Sequence, residues 1–192
     1  MILASASPRR RDLLAQIGIV PDAVLATDTD ETPRRDELPR PYAQRIARTK
    51  AASALTLRRD AGGAPGFVLA ADTVVALGRR ILPKADDTTT ARHCLELLSG
   101  RRHTVITAVV LHAPDGGRSE RLVESVVAFN RMTVDQIDAL LAGGDWSGKA
   151  GGYAIQGHAA AHIRFLSGSH SNVVGLPLFE TAQLLRGRGW AV

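Results

Sequence analysis

Three lysines stand among twenty-one arginines in this chain of 192 residues, and each lies beside residues suited to handling a charged substrate. Lys50 sits in Arg48-Thr49-Lys50-Ala51, Lys84 in Leu82-Pro83-Lys84, and Lys149 in Ser147-Gly148-Lys149-Ala150. Most surface positions that need positive charge accept either base. A site that needs a compact ammonium, and not a flat fork of donors, does not. Lys84 and Lys149 also fall in stretches punctuated by Pro and Gly, where functional groups concentrate. Asp72 follows the apolar run 67–71. A carboxylate at the end of a buried strand is costly unless it is paired, capping or binding metal. Asp72 therefore reads either as a strand-end cap or as a general base or metal ligand.

Three further stretches could meet an anion or a cation. Leu3-Ala4-Ser5-Ala6-Ser7-Pro8-Arg9-Arg10 runs from a strand straight into a helix start. The free N–H groups and dipole of a helix start favour anions. Ser5 and Ser7 would add hydroxyls there, and Arg9 and Arg10 charge of the kind that clamps phosphate. The plain alternative is an N-cap followed by solvated arginines. The acidic stretch Asp28-Thr29-Asp30-Glu31, with Asp36-Glu37 beyond it, is either a solvated turn or the source of a carboxylate that shares Mg²⁺ with phosphates. Lys50 lies four residues from both Ile46 and Ala54, on the apolar stripe of its helix, so it either snorkels outward or points into a cleft.

Other patterns fail. Gly143 to Lys149 nearly matches G-x-x-x-x-G-K-[ST], but Ala150 replaces the Mg²⁺-binding hydroxyl, and the segment follows a helical pattern where a strand is required. Lys149 among glycines can still reach a phosphate. His158 and His162 lack the Glu of a metalloprotease helix, and His93 with Cys94 makes no zinc set. These histidines read as surface or packing residues.

The elements that must position these groups alternate. A strand is expected at 2–4, then a helix capped by Ser7 with Pro8 in its first turn and stopped by Gly18. A strand at 23–26, a polar loop at 28–41 and a helix at 42–59 follow. The apolar strand 67–71 ends at Asp72, and residues 74–77 continue it after a kink. Asp87 caps a helix over 88–98. Two β-rich runs, 103–112 and 121–129, flank the hairpin signal Pro114-Asp115-Gly116-Gly117. Thr133 caps a helix through Leu141. A Gly-rich stretch at 148–157, a strand at 160–165 and a helix at 176–186 complete the chain. The pattern predicts an α/β fold with a mixed sheet.

Composition narrows the function classes. The length suits one medium domain or two closely packed lobes. A single cysteine, Cys94, excludes an internal disulfide and fits a reducing compartment. Arg9, Arg10, Arg11 and Asp12 interrupt the place where a signal peptide needs its apolar stretch, and no run of 18 apolar residues exists. A cytoplasmic protein without a membrane span is expected. The net charge of +5 suits a polyanionic ligand. Only eight aromatic residues are present, so a dedicated nucleic-acid role, which usually needs stacking platforms, is not expected.

Taken together, the segments resemble the Maf family of nucleoside triphosphate pyrophosphatases, also described as septum-formation-inhibitor-like. The matching blocks are the Leu3-to-Arg10 stretch, Asp30-Glu31, Arg45-Ile46-Ala47-Arg48-Thr49-Lys50-Ala51, Ala71-Asp72-Thr73-Val74-Val75, Leu98-Ser99-Gly100-Arg101-Arg102-His103, the Gly148-to-Gly157 stretch and Asn172-Val173-Val174-Gly175-Leu176-Pro177-Leu178. They run in family order over nearly the whole chain. The resemblance implies an inosine-triphosphatase-like α/β fold, with a mixed twisted sheet in two lobes around a central cleft, often dimeric. It implies hydrolysis of a nucleoside triphosphate to the monophosphate and pyrophosphate with a divalent metal, Mg²⁺ or Mn²⁺. By position, Asp72 would be the proton acceptor and a metal ligand. Lys50 and Lys84 would act with it, while Ser5, Ser7, Arg9, Arg10 and Lys149 would line the phosphate path. Glu31 would help hold metal. The subgroup resembled carries Arg, Thr and Gln at Arg9, Thr73 and Gln156 and acts on dTTP and UTP; modified pyrimidine nucleotides stay open as substrates. Ala85 departs from the Pro that members commonly carry after the lysine. The competing expectation is a regulator of septum formation acting through a partner.

Overall fold

A computed structural model describes residues 1–191. The chain folds as β1 (Ile2–Ala4), α1 (Pro8–Gln16), β2 (Ala23–Leu25), α2 (Pro39–Asp60), β3 (Val68–Leu77), β4 (Arg80–Leu82), β5 (Lys84–Ala85), α3 (Thr88–Leu98), β6 (Arg102–His112), β7 (Arg118–Phe129), α4 (Val134–Gly143), β8 (Lys149–Ala150), a 3-10 turn (His158–His162), β9 (Ile163–Ser167), α5 (His170–Val174) and α6 (Leu178–Arg186). The main sheet has the order β2-β1-β3-β6-β7-β9, with β4 added beside β3; β5 and β8 form a separate ribbon. β1 pairs parallel with β2 and β3, and the other pairings are antiparallel. The mixed α/β expectation holds.

β3 organises the molecule. It is covered on both faces, which is why it reads as a continuous apolar run. Strand alternation sends Val68, Ala70, Val74 and Ala76 toward α2, where they pack with Ala43, Ile46, Ala47 and Ala54. The opposite face carries two separate apolar clusters. Leu69 and Ala71 pack with Leu13, Leu14, Leu184 and Leu185 of α1 and α6. Val75 packs with Leu95, Leu98, Ile137 and Leu141 of α3 and α4. Between these clusters lies a buried polar row, described below, so this face of one sheet carries two apolar clusters parted by polar groups.

Several expected boundaries move. β3 does not end at Asp72 and does not kink: its register with β6 runs unbroken from Val68 to Ala76. What ends there is the pairing on its other edge. β1 leaves after Ala4↔Ala70, and β4 joins only at Val75↔Leu82. Residues 71–74 are thus left without a strand neighbour on that side. Asp72 lies in this gap. α2 starts at Pro39 and not at Tyr42, because prolines are tolerated in a first turn that has no helical N–H partners to lose. The expected strand 160–165 begins at Ile163; the alanines before it form the 3-10 turn. The final helix starts at Leu178, after the short α5 that the sequence reading omitted. The caps at Asp87 and Thr133 form as expected, the latter as a full capping box with Gln136. Ser7 stands at the N-cap of α1 without a side-chain cap bond.

Candidate active site

The gap in the β3 edge opens into a cavity of about 310 Å³. Its wall includes every residue to which the family resemblance gave a site role: Ser5, Ser7, Arg9 and Arg10 from the β1–α1 junction, Glu31 from the loop before α2, Lys50 from α2, Asp72 and Thr73 from β3, Lys84 from β5, and Lys149 and Gln156 from the Gly-rich stretch; of the acidic stretch only Glu31 reaches it. Five cationic side chains surround two carboxylates, Asp72 and Glu31.

Asp72 shares the face of β3 that meets α2, and there it finds Lys50. The lysine does not snorkel: its ammonium donates to Asp72 Oδ1 at 2.7 Å and lies 2.6 Å from Glu31 Oε1. Asp72 is 4% exposed and Lys50 7%. A charge buried this deeply would cost several kcal/mol without its partner. Glu31 is also bonded by Lys84 through its other oxygen. The result is an alternating chain, Asp72–Lys50–Glu31–Lys84. Burial pushes the Glu31 carboxyl up, but the hydrogen bonds from Lys50 and Lys84 outweigh it and hold it below the usual carboxylate range.

Thr73, one residue on, faces the opposite side and joins the polar row. Its hydroxyl accepts from Arg10 Nη2 at 3.1 Å, meets Thr107 Oγ1 at 3.0 Å, and lies 3.3 Å from the Gly175 carbonyl. Thr107 donates to the Asn172 carbonyl, and Asn172 Nδ2 donates to Ser125 Oγ and to the Val105 carbonyl. Arg10 Nε donates to the Gly175 carbonyl and Nη1 to Ser5 Oγ. Arg10 therefore differs from the expectation of a phosphate clamp. Its fork is committed to Ser5, Thr73 and Gly175, so it fixes the β1–α1 corner against the β3 edge. Ser5 Oγ also accepts from the Ser7 amide at 3.1 Å, and the Ser7 hydroxyl makes no cap bond.

Of the three cavity cations without a carboxylate, Arg10 is held by the polar row, and Arg9 and Lys149 remain. Among the described residues neither forms an ion pair, and Lys149 donates only to the Ser147 carbonyl. Burial, followed by repulsion from Arg9, lowers the Lys149 ammonium from its ordinary value. Two partly buried like charges facing each other across a cavity mark a place for an anion.

Lys84 and Lys149 are brought together by the β5–β8 ribbon, in which Lys84 pairs with Ala150 and Ala85 with Lys149. The ribbon turns back on glycines. Gly151 and Gly152 hold φ of 70° and 68°, and a Cβ on Gly151 would stand 2.8 Å from Val75 Cγ1. Behind it, Tyr153 is buried, with its hydroxyl 2.8 Å from His103 Nε2. The sequence reading gave no role to Tyr153 or Gly175, which the structure places in the cavity wall. Their signal was their membership of two of the family-like blocks.

Fold and cavity together describe an α/β protein with a cation-lined cavity beside one buried and one half-buried carboxylate. The family model for Maf-like proteins matches residues 1–188, and the chain belongs to that family. A protein of Gluconobacter oxydans named dTTP/UTP pyrophosphatase is 66% identical over 192 residues, which cover 98% of this chain and 86% of its relative. Proteins of the same name from Paramagnetospirillum magneticum and Caulobacter vibrioides are 58% and 56% identical; the matches cover 100% and 99% of this chain and 98% and 96% of theirs. A solved nucleoside-triphosphatase / dITP/XTP pyrophosphatase of Mycobacterium abscessus overlaps 68% of this chain and 73% of its own with a TM-score of 0.36 and 17% identity, a likeness too distant to bear on the site.

Proposed function

We propose that this chain hydrolyses nucleoside triphosphates, dTTP and UTP before others, to the monophosphate and pyrophosphate. The observation that carries the reading is the convergence of five cations on one cavity around a buried, lysine-held aspartate. The names of the relatives agree with it.

In this reading water attacks the α-phosphorus. A new P–O bond forms to the water oxygen as the bond to the oxygen bridging the β-phosphorus breaks, and pyrophosphate departs. Asp72 accepts the water proton. Lys50 keeps Asp72 oriented, and Arg9, Lys84 and Lys149 act as fixed charges on the phosphate oxygens. Ser5 and Ser7 supply hydroxyls at the start of α1. Thr73 and Arg10 shape the wall from the other face of β3. Gln156 is exposed at the cavity rim. Its amide can accept from the pyrimidine N3–H and donate to O4, whereas a Glu would suit the two donors of a guanine edge.

The carboxylates fit a divalent cation. Asp72 and Glu31 already converge on a single positive group, the Lys50 ammonium, and Mg²⁺ needs only one or two carboxylates beside phosphate oxygens and water. Glu31 and Asp72 would hold Mg²⁺ or Mn²⁺, which when bound supplies Lewis-acid neutralisation of phosphate charge.

A panel of nucleoside triphosphates scored by pyrophosphate release, with and without Mg²⁺, tests the reading. Pyrimidine preference with metal dependence is expected. Absence of turnover would favour a regulator acting through a partner.

A further inference from the structure

The loop that carries Glu31 is fastened to α2 at several points that the chemistry above does not use. The Tyr42 hydroxyl donates to the Glu31 carbonyl at 2.7 Å. One turn further along α2, Arg45 donates from Nε to Glu37 Oε1 at 2.7 Å, and from Nη2 to Glu37 Oε2 at 2.6 Å and to the Thr32 carbonyl at 3.1 Å. The Arg45 and Glu37 side chains are 21% and 9% exposed. Within the loop, Asp30 Oδ1 accepts from the Thr32 amide at 2.9 Å, and Glu37 Oε2 accepts from the Arg34 amide at 2.9 Å. The residues on either side of Glu31 are thus tied down, while its carboxylate alone projects to Lys50 and Lys84.

We infer that Arg45, Glu37 and Tyr42 form a clamp whose work is to aim the Glu31 carboxylate, making them positioning residues for the metal in the proposed reaction. The inference rests on that reading. Lys50 stands on the same helix as Tyr42 and Arg45. One rigid element therefore sets both the ammonium and, through the clamp, the carboxylate that meets it. Rigid α2 supplies the precision that the polar, Pro-containing segment 26–38 lacks. The Arg45 fork serves three acceptors from two of its nitrogens, an arrangement that a lysine cannot reproduce. Arg45 hydrogen bonding lowers the Glu37 carboxyl to about 2, so the pair stays charged across the working pH range.

The test is Mn²⁺ affinity, read by the paramagnetic signal of free Mn²⁺, with the full-length protein and a non-hydrolysable α,β-methylene analogue of dTTP. Wild type is compared with Glu31→Gln, Arg45→Lys, Glu37→Gln and Tyr42→Phe, and with Arg45→Lys combined with Glu31→Gln. Groups that orient a metal ligand typically change affinity by about 10-fold or more when removed. Arg45→Lys and Glu37→Gln should each weaken Mn²⁺ binding by about that factor, and Tyr42→Phe by less. In the Glu31→Gln background, Arg45→Lys should add nothing, since the carboxylate it aims is gone. A general loss of structure would instead add to the effect, and that outcome overturns the clamp. Loss of affinity in Glu31→Gln alone, with wild-type binding in both clamp variants, also overturns it while leaving the metal assignment standing. Wild-type affinity in Glu31→Gln removes the metal assignment and the clamp together.

Discussion

Asp72 Oδ1 lies 2.7 Å from the Lys50 ammonium, and both groups are nearly closed to solvent. The lysine reaches the aspartate from the next layer of the fold, because alternation along β3 turns residue 72 toward α2.

Asp72→Asn should lower turnover by about 10²–10⁴-fold, the usual worth of a positioned general base. The fold should survive, since Lys50 keeps Glu31 as a partner. Pyrophosphate release and thermal unfolding measured on the same preparation check both halves. Wild-type turnover would remove Asp72 from the chemistry.

Lys84→Arg conserves charge and should still lose activity. Lys84 takes one oxygen of Glu31 and Lys50 the other. A guanidinium can bind a carboxylate through both oxygens at once, which would pull Glu31 from Lys50. Steady-state kinetics with saturating Mg²⁺ should show a reduced kcat/KM; full activity would mean that the ammonium at this position is incidental.

Gln156→Glu should weaken dTTP and UTP selectively. The residue is exposed at the rim, and among the described residues its side chain forms no hydrogen bond, so the stability of the variant should match wild type. Competition between dTTP and GTP is the direct measurement. Unchanged discrimination would move base recognition elsewhere.

Burial lowers His103 from 6.5 to about 4. The unfolded chain takes up a proton near pH 6.5 that the native state refuses until about 4. The neutral ring's contribution is therefore present above pH 6.5 and lost as the pH falls from 6.5 toward 4, by at most about 3 kcal/mol. Denaturant unfolding at pH 7, 6 and 5 should show this decline, and His103→Gln should flatten it. Equal slopes in the two proteins would assign the pH dependence to other groups.

Much of this cavity lining is legible in the sequence. Lys50 betrayed itself by occupying an apolar stripe, and Asp72 by interrupting an apolar run. The strand runs on through Asp72, although a charged residue in its middle reads as its end, because Lys50 on α2 pairs the carboxylate. β5 and β8 are two residues each, too short to show any period, so the pairing of the two lysine-bearing segments was not visible. The commitment of Arg10 to Thr73 and Gly175 depends on contacts separated by 63 and 165 residues, which no local pattern encodes. The polar row from Ser125 to Ser5 was hidden for the same reason.

Because β3 and β6 run unbroken beneath both apolar clusters, one cluster cannot slide against the other without tearing the ladder that joins them. Asp72 and Thr73, on opposite faces of one unbroken strand, are therefore held at a fixed offset from each other. The rigid sheet supplies alignment.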